Sequence, residues 1–309
     1  MNITHFSRKE NSGLFRTMLE LARYEEKAGH DVTIKQPSDD KVLYGSNTEA
    51  DVELIHSQLA VESYFNGKSR HMFMHGEPLS SVANGVSMKA IVDLAPLVDS
   101  FICMRKDEHM IWNSIKKTYL VPKGVDLEVY HPVDDYEKLP GEPAVLYVEN
   151  WRGQRNPLYV CLAMQEVWKK YPKARLHLLN CQSPKMHETF KTLINNNKWW
   201  VFIKSLLGPV SADKINELYN RADIVVSGLY PLYARGIEAF GAGKAYIGAG
   251  YREHDDYPFM CDFHPQSMAD AIVKCWENYD QIDFRKWAET HHDVEETVRQ
   301  TIDIYRRYL

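Results

Sequence analysis

The chain has 309 residues, 44% apolar and 26% charged, with 37 basic against 42 acidic side chains for a formal net charge of −5. At roughly 100–200 residues per domain this length favours two domains, and the composition excludes a disordered, collagenous or disulfide-stapled chain. No apolar run reaches the ~18 residues of a spanning helix and the first residues lack a signal-peptide core, so a cytoplasmic protein without a membrane span is expected.

The opening alternates short apolar runs with helical periods. Ile3 to Phe6 reads as a strand, and a polar loop through Asn11, Ser12 and Gly13 leads into a helix with Leu14, Met18, Leu21 and Ala22 on one face, ending at Gly29. Asp31 to Ile34 follows as a strand, and strand–helix–strand forces a right-handed crossover and a parallel sheet. Further strands are expected at Val52 to His56, His71 to His75, Ser100 to Met104 and Tyr119 to Val121. From Tyr130 to Pro143 prolines and charges dominate, which is linker chemistry, so the expected domains are residues 1–135 and 136–309.

The alternation then restarts. Strands are expected at Val145 to Val148, Leu176 to Leu179, Val201 to Ile203, Ile224 to Val226 and Ala245 to Ile247. Between them lie a helix opened by Asn156-Pro157, a helix capped by Ser211 with Ile215, Leu218, Tyr219 and Ala222 on one face, and a short helix near Ile237 to Gly241. Gln266 to Leu309 is helical throughout. The fold class is α/β: two Rossmann-like domains facing across a cleft, with C-terminal helices.

Open parallel sheets bind ligands beyond the carboxyl ends of their strands, where helix N-termini offer free N–H donors and partial positive charge to an anion. A nucleotide-linked substrate is the natural guest. There is no Asp-x-Asp pair to hold a metal against a diphosphate, no phosphate-binding P-loop around Gly241-Ala-Gly-Lys244, and no G-x-G-x-x-G beside Gly13. Metal-independent phosphate handling is expected, with no metal ligands and no resident cofactor. The five cysteines form no C-x-x-C and are expected to be reduced and buried; the adjacent His291 and His292 are expected to be exposed.

Several segments, taken in order, resemble retaining GT-B glycosyltransferases, particularly family 4. Val121-Pro-Lys-Gly-Val-Asp126 through His131-Pro132 is similar to the "pNGVD…F.P" hinge, with Lys123 replacing Asn. Tyr147-Val-Glu-Asn-Trp-Arg-Gly-Gln-Arg-Asn-Pro157 resembles "GRL…KNP", with Asn150 at the arginine position and Arg155 at the lysine position. Ala222-Asp-Ile-Val-Val-Ser-Gly228 and Ile237-Glu-Ala-Phe-Gly-Ala-Gly-Lys244 are similar to "aDv.v.pS…EAmA.G.pvI". Lys27-Ala-Gly-His-Asp-Val32 resembles "k.GHeV", and Met72-Phe-Met-His-Gly76 resembles "vHG".

The resemblance implies transfer of a sugar from a UDP- or GDP-sugar, as co-substrate, to an acceptor hydroxyl with retention of configuration. Glu238 matches the second carboxylate of the family's E-x7-E pair, which binds the ribose diol; the first, beside the donor sugar, falls on Tyr230, and Tyr233 replaces a glycine. Arg155 would stabilise the departing diphosphate, His75 would hydrogen-bond the sugar or bridging phosphate, and Tyr230 would contact the sugar. Ser12 and Gly13 would offer N–H groups to phosphate or touch the acceptor; Arg235 would supply the cation missing at Asn150, and Gly236 would let backbone approach a phosphate. The acceptor would be a glycan, a lipid-linked saccharide or a modified base in DNA, as in phage-type enzymes. Nucleic acid is disfavoured by the net charge, although Arg105, Lys106, Lys116 and Lys117 form a local basic stripe. Tyr230, Asn150 and Tyr233 keep open a non-catalytic nucleotide-binding or partner subunit, and a third alternative is a sugar-nucleotide epimerase.

Overall fold

A computed structural model describes residues 1–7, 13–35, 50–56, 68–74, 91–149, 157–179, 184–206, 210, 212–228, 233–249 and 257–309. The chain divides into two compact units, Met1–Gly124 with Val294–Leu309, and Val125–Asp293.

The first unit holds a six-stranded parallel sheet of β1 (Asn2–Phe6), β2 (Asp31–Lys35), β3 (Val52–Ile55), β4 (Ser69–Met74), β5 (Ser100–Cys103) and β6 (Thr118–Leu120). Their order is β2-β1-β3-β4-β5-β6. β3 and β5 are buried throughout, as strands covered on both faces must be, whereas the edge strand β2 is largely exposed. Helix α1 (Gly13–Lys27) makes the β1–β2 crossover, and α2 (Lys106–Trp112) joins β5 to β6. Met72, Met74, Phe101 and Trp112 fill one face of the core.

The second unit holds β7 (Ala144–Tyr147), β8 (Arg175–Leu178), β9 (Ile203–Leu206), β10 (Ile224–Val226) and β11 (Ala245–Ile247), all parallel, in the order β11-β10-β7-β8-β9. Its helices are α3 (Leu158–Lys170), α4 (Pro184–Asn196), α5 (Ala212–Arg221), α6 (Tyr233–Gly241), α7 (Pro265–Glu277) and α8 (Phe284–His291). A last helix, α9 (Val294–Arg306), belongs to the first unit and packs beside α1.

Four expectations need correction. The domain boundary is not at 135/136. The division falls at 124/125, and the proline-rich stretch is built into the second unit: Leu139 is buried and its N–H bonds Arg221 O at 2.7 Å, while His131 O accepts from Asn216 and Asn220. Proline and charge there mark a hydrogen-bonded surface stretch, which composition alone does not distinguish from a linker. The C-terminal helices are not all in the second unit as the bounds 136–309 imply: α9 packs back onto the first unit, as terminal helices of this kind often do, and a Cβ on Gly124 would lie 2.3 Å from Val294 Cα, so this glycine permits the close approach. The expected strand at Val201 to Ile203 starts two residues later, since Lys198 adopts φ 56° and Trp199–Val201 form a 3-10 turn. His292 is 1% exposed and stacks on Phe240, contrary to the exposure expected of it. Cys103, Cys161, Cys261 and Cys275 are buried thiols, as expected, and Cys181 lies outside the described residues.

Candidate functional site

In each sheet one place is singled out by strand order. Strand order reverses between β1 and β3 in the first unit and between β7 and β10 in the second, and at such a switch point adjacent crossovers diverge and leave a crevice beyond the strand ends.

At the second switch point, β10 is followed by Ser227 and Gly228, and the next described element, α6, carries Arg235, Gly236 and Glu238. Two packing features fix this helix. A Cβ on Gly236 would lie 2.6 Å from ring atoms of Tyr246 on β11, so the glycine lets α6 settle against the sheet. The Tyr246 hydroxyl in turn lies 2.6 Å from Ser227 Oγ at the end of β10. The role expected of Gly236, close backbone approach to a phosphate, is thus accompanied by a packing requirement sufficient to explain the glycine.

Glu238 Oε2 accepts two short hydrogen bonds, from the Tyr219 hydroxyl on α5 at 2.7 Å and from Arg235 Nη1 at 2.7 Å. Tyr219 is wholly buried, and the Glu238 side chain is 13% exposed. Burial first, and then the neighbouring Glu238 carboxylate, push the Tyr219 phenol well above its ordinary range, so it remains a hydrogen-bond donor. Glu238 likewise holds the Arg235 guanidinium above its usual value. Arg235 is therefore engaged by Glu238, in an i,i+3 pair, and the structure does not show it as the free cation expected beside a phosphate. Among the described residues no donor reaches Glu238 Oε1.

Two residues past β7, the strand on the other side of this switch point, lies the wholly buried Glu149, whose Oε2 accepts from the Tyr147 hydroxyl at 3.3 Å. Of the other sequence-derived candidates, Ser12, His75, Arg155 and Tyr230 lie outside the described residues, as does Asn150. Gly13 is the first residue of α1. Arg155 and Tyr230 belong to the segments that follow β7 and β10, the two strands flanking the switch point.

At the first switch point, His5 Nδ1 on β1 lies 2.8 Å from His56 Nε2 just past β3, and His5 Nε2 lies 2.5 Å from Glu25 Oε2 on α1. Glu25 Oε1 accepts from the Tyr305 hydroxyl of α9 at 3.1 Å. All four side chains are buried, and the cost of burying the Glu25 carboxyl group is offset by bonds to both of its oxygens. Sequence reading missed this group. Its signal was Glu25 itself, which continues the Met18, Leu21, Ala22 stripe and so places a carboxylate on the buried face.

Lys123, at the asparagine position of the hinge motif, donates to Thr17 Oγ1 at 3.0 Å, and Asp126 caps the following turn through Glu128 and Val129 N–H. Among the described residues no three His, Cys, Asp or Glu side chains converge as a metal-ligand set, and no helix is long and apolar enough to cross a membrane.

The sequence matches no known family profile, and no curated protein matches it. Solved structures do share its fold. Sucrose-phosphate synthase from Thermosynechococcus elongatus superposes with a TM-score of 0.76 at 14% identity, covering 99% of this chain and 98% of that one. HepE of Anabaena, solved in complex with UDP and glucose, gives 0.75 at 13% identity over 99% and 100%. A glycosyltransferase from Rickettsia africae ESF-5 gives 0.69 at 15% identity over 99% and 98%. The α/β architecture with parallel sheets expected from the resemblance is therefore the architecture found, and it is shared with glycosyltransferases.

Proposed function

We propose that this chain is a glycosyltransferase that moves a sugar from a nucleoside diphosphate donor, UDP- or GDP-linked, to an acceptor hydroxyl. The observation carrying this reading is Glu238: a nearly buried carboxylate at the switch point of the second unit, with one oxygen bonded by the fold and the other without a partner among the described residues. Two ribose hydroxyls are suited to that vacant acceptor, and the fold is shared with HepE, which was solved with UDP and glucose. Because Arg235 offsets the carboxylate's charge, Glu238 can receive hydroxyl donors without presenting a bare anion to a nearby diphosphate.

In this reading Arg155 and the amide N–H groups at the start of α6 stabilise the charge that grows on the departing diphosphate, without a metal ion. Tyr230 and His75 contact the sugar, and Ser12 and Gly13, which lie between β1 and α1 in the sequence or open α1, serve the acceptor side. The product keeps the donor's anomeric configuration. The acceptor is a glycan or a lipid-linked saccharide, ahead of a DNA base, because the net charge of −5 works against a polyanion.

The test is incubation of the full chain with UDP-, GDP-, ADP- and dTDP-sugars, alone and with glycan acceptors, following release of free nucleotide and of sugar. Transfer, or slow donor hydrolysis, is expected with a UDP- or GDP-sugar. Tight nucleotide binding without turnover across the panel would favour a non-catalytic subunit, the reading that Tyr230 at the family's glutamate position supports. A rearranged sugar nucleotide formed from donor alone would make the chain an epimerase.

A further inference from the structure

The same carboxylate carries a more specific inference, one that rests on the proposed function. A carboxylate oxygen accepts about two hydrogen bonds in its plane. Glu238 Oε2 receives that number from Tyr219 and Arg235, both at 2.7 Å. The two donors come from different helices, α5 and α6, so rotating the carboxyl group breaks both bonds together. Tyr219 is fixed in turn, wholly buried with its ring 6.3 Å from that of Tyr130. Oε1 is thereby held in one direction, on a side chain only 13% exposed, and no donor among the described residues takes up its acceptor capacity.

We propose that Tyr219 and Arg235 are positioning residues that lock Glu238 so that Oε1 reads the ribose hydroxyls, and that this lock sets the preference for ribonucleoside over dideoxyribonucleoside diphosphates. A site built to receive hydroxyl donors rejects a ligand that lacks them, because its acceptor is then left dehydrated and unpaired. The discrimination depends on direction. A carboxylate free to rotate can turn Oε1 towards water and recover its hydration, whereas a clamped one cannot.

The experiment is calorimetric titration of the full chain with UDP, GDP and their 2′,3′-dideoxy counterparts, the tighter-binding base setting the reference. Wild type is expected to prefer the ribonucleotide by about 10–100-fold, the range for hydrogen bonds to a charged acceptor. Glu238→Gln should shrink this ratio strongly. Tyr219→Phe, which keeps the buried ring, should weaken ribonucleotide binding by about tenfold while leaving the dideoxy ligand unchanged, a pattern that a purely structural role would not produce. Arg235→Lys gives the same readout should Tyr219→Phe fail to fold. If Glu238→Gln erases the preference but both Tyr219→Phe and Arg235→Lys retain it, the positioning role falls and the ribose contact stands. If wild type binds neither nucleotide, shows no preference, or keeps its preference in Glu238→Gln, the ribose contact itself falls and the positioning role with it.

Discussion

The two switch points hold the same residue type in two different states of completion. In the first unit Glu25 accepts on both oxygens, from His5 and from Tyr305, inside a group with no water-facing member. In the second unit the two bonds that Glu238 receives from described residues both fall on one oxygen. A buried carboxylate satisfied on both sides can do little beyond joining elements, here α1, β1 and α9. One satisfied on a single side keeps capacity for a ligand. Counting which oxygen each donor reaches separates a structural carboxylate from a candidate binding one, where burial alone would class the two together.

The contrast can be broken at several points. Glu25→Ala should have the largest effect, about 3–5 kcal/mol of lost stability, because it strands His5 and Tyr305 in the core. Urea unfolding measures it, and a loss below about 1 kcal/mol would show the network to be dispensable.

The first unit should also be acid-sensitive through His71. Burial pushes its imidazole down to about 4, with Ser69 and Ser100 hydroxyls as partners and the Tyr305 ring stacked on it. A folded value below the unfolded one of about 6.5 means that the unfolded chain binds the proton first. Stability is therefore full above pH 6.5 and declines as pH falls towards about 4, by about 3 kcal/mol in all. Urea midpoints at pH 7.5 and 4.5 should differ more in wild type than in His71→Asn; equal differences would assign the acid sensitivity elsewhere.

A smaller effect is expected at Gly236→Ala, about 1–3 kcal/mol, from forcing a methyl group to within 2.6 Å of the Tyr246 ring. Because α6 carries Glu238, nucleotide affinity should fall with stability; unchanged melting and unchanged affinity would show that the helix can shift freely. The smallest effect belongs to the surface pair Lys170–Glu277, at 2.6 Å but with both side chains about half exposed. Glu277→Gln should leave the urea midpoint in place, and a clear drop would contradict the assignment of stability to buried groups.

Much of this was legible in the sequence. The alternation of strand and helix periods gave the α/β architecture, since both signals are local, and Glu238 stood out as a lone charge among Ile237, Ala239 and Phe240. Its partners were harder to see. Tyr219 reads as one more member of an apolar helix face with Ile215 and Leu218, because its hydroxyl acquires meaning only when α5 packs beside α6, 19 residues away in the chain. For Arg235 the family resemblance points to a phosphate, whereas its i,i+3 spacing from Glu238 permits the pair that forms. The return of α9 to the first unit rests on Gly124 meeting Val294 and on Tyr305 reaching Glu25, 280 positions away, and no periodicity encodes contacts at that range.

The most direct measurement is a crystal structure of the full chain grown with UDP, or with GDP should that bind more tightly. The expected result places the nucleotide beyond the carboxyl ends of β7 and β10, with a ribose hydroxyl about 2.5–3.2 Å from Glu238 Oε1 and the Tyr219 and Arg235 bonds to Oε2 intact. A nucleotide seated elsewhere, or a ribose with no contact to Glu238, would contradict the proposed function at its foundation.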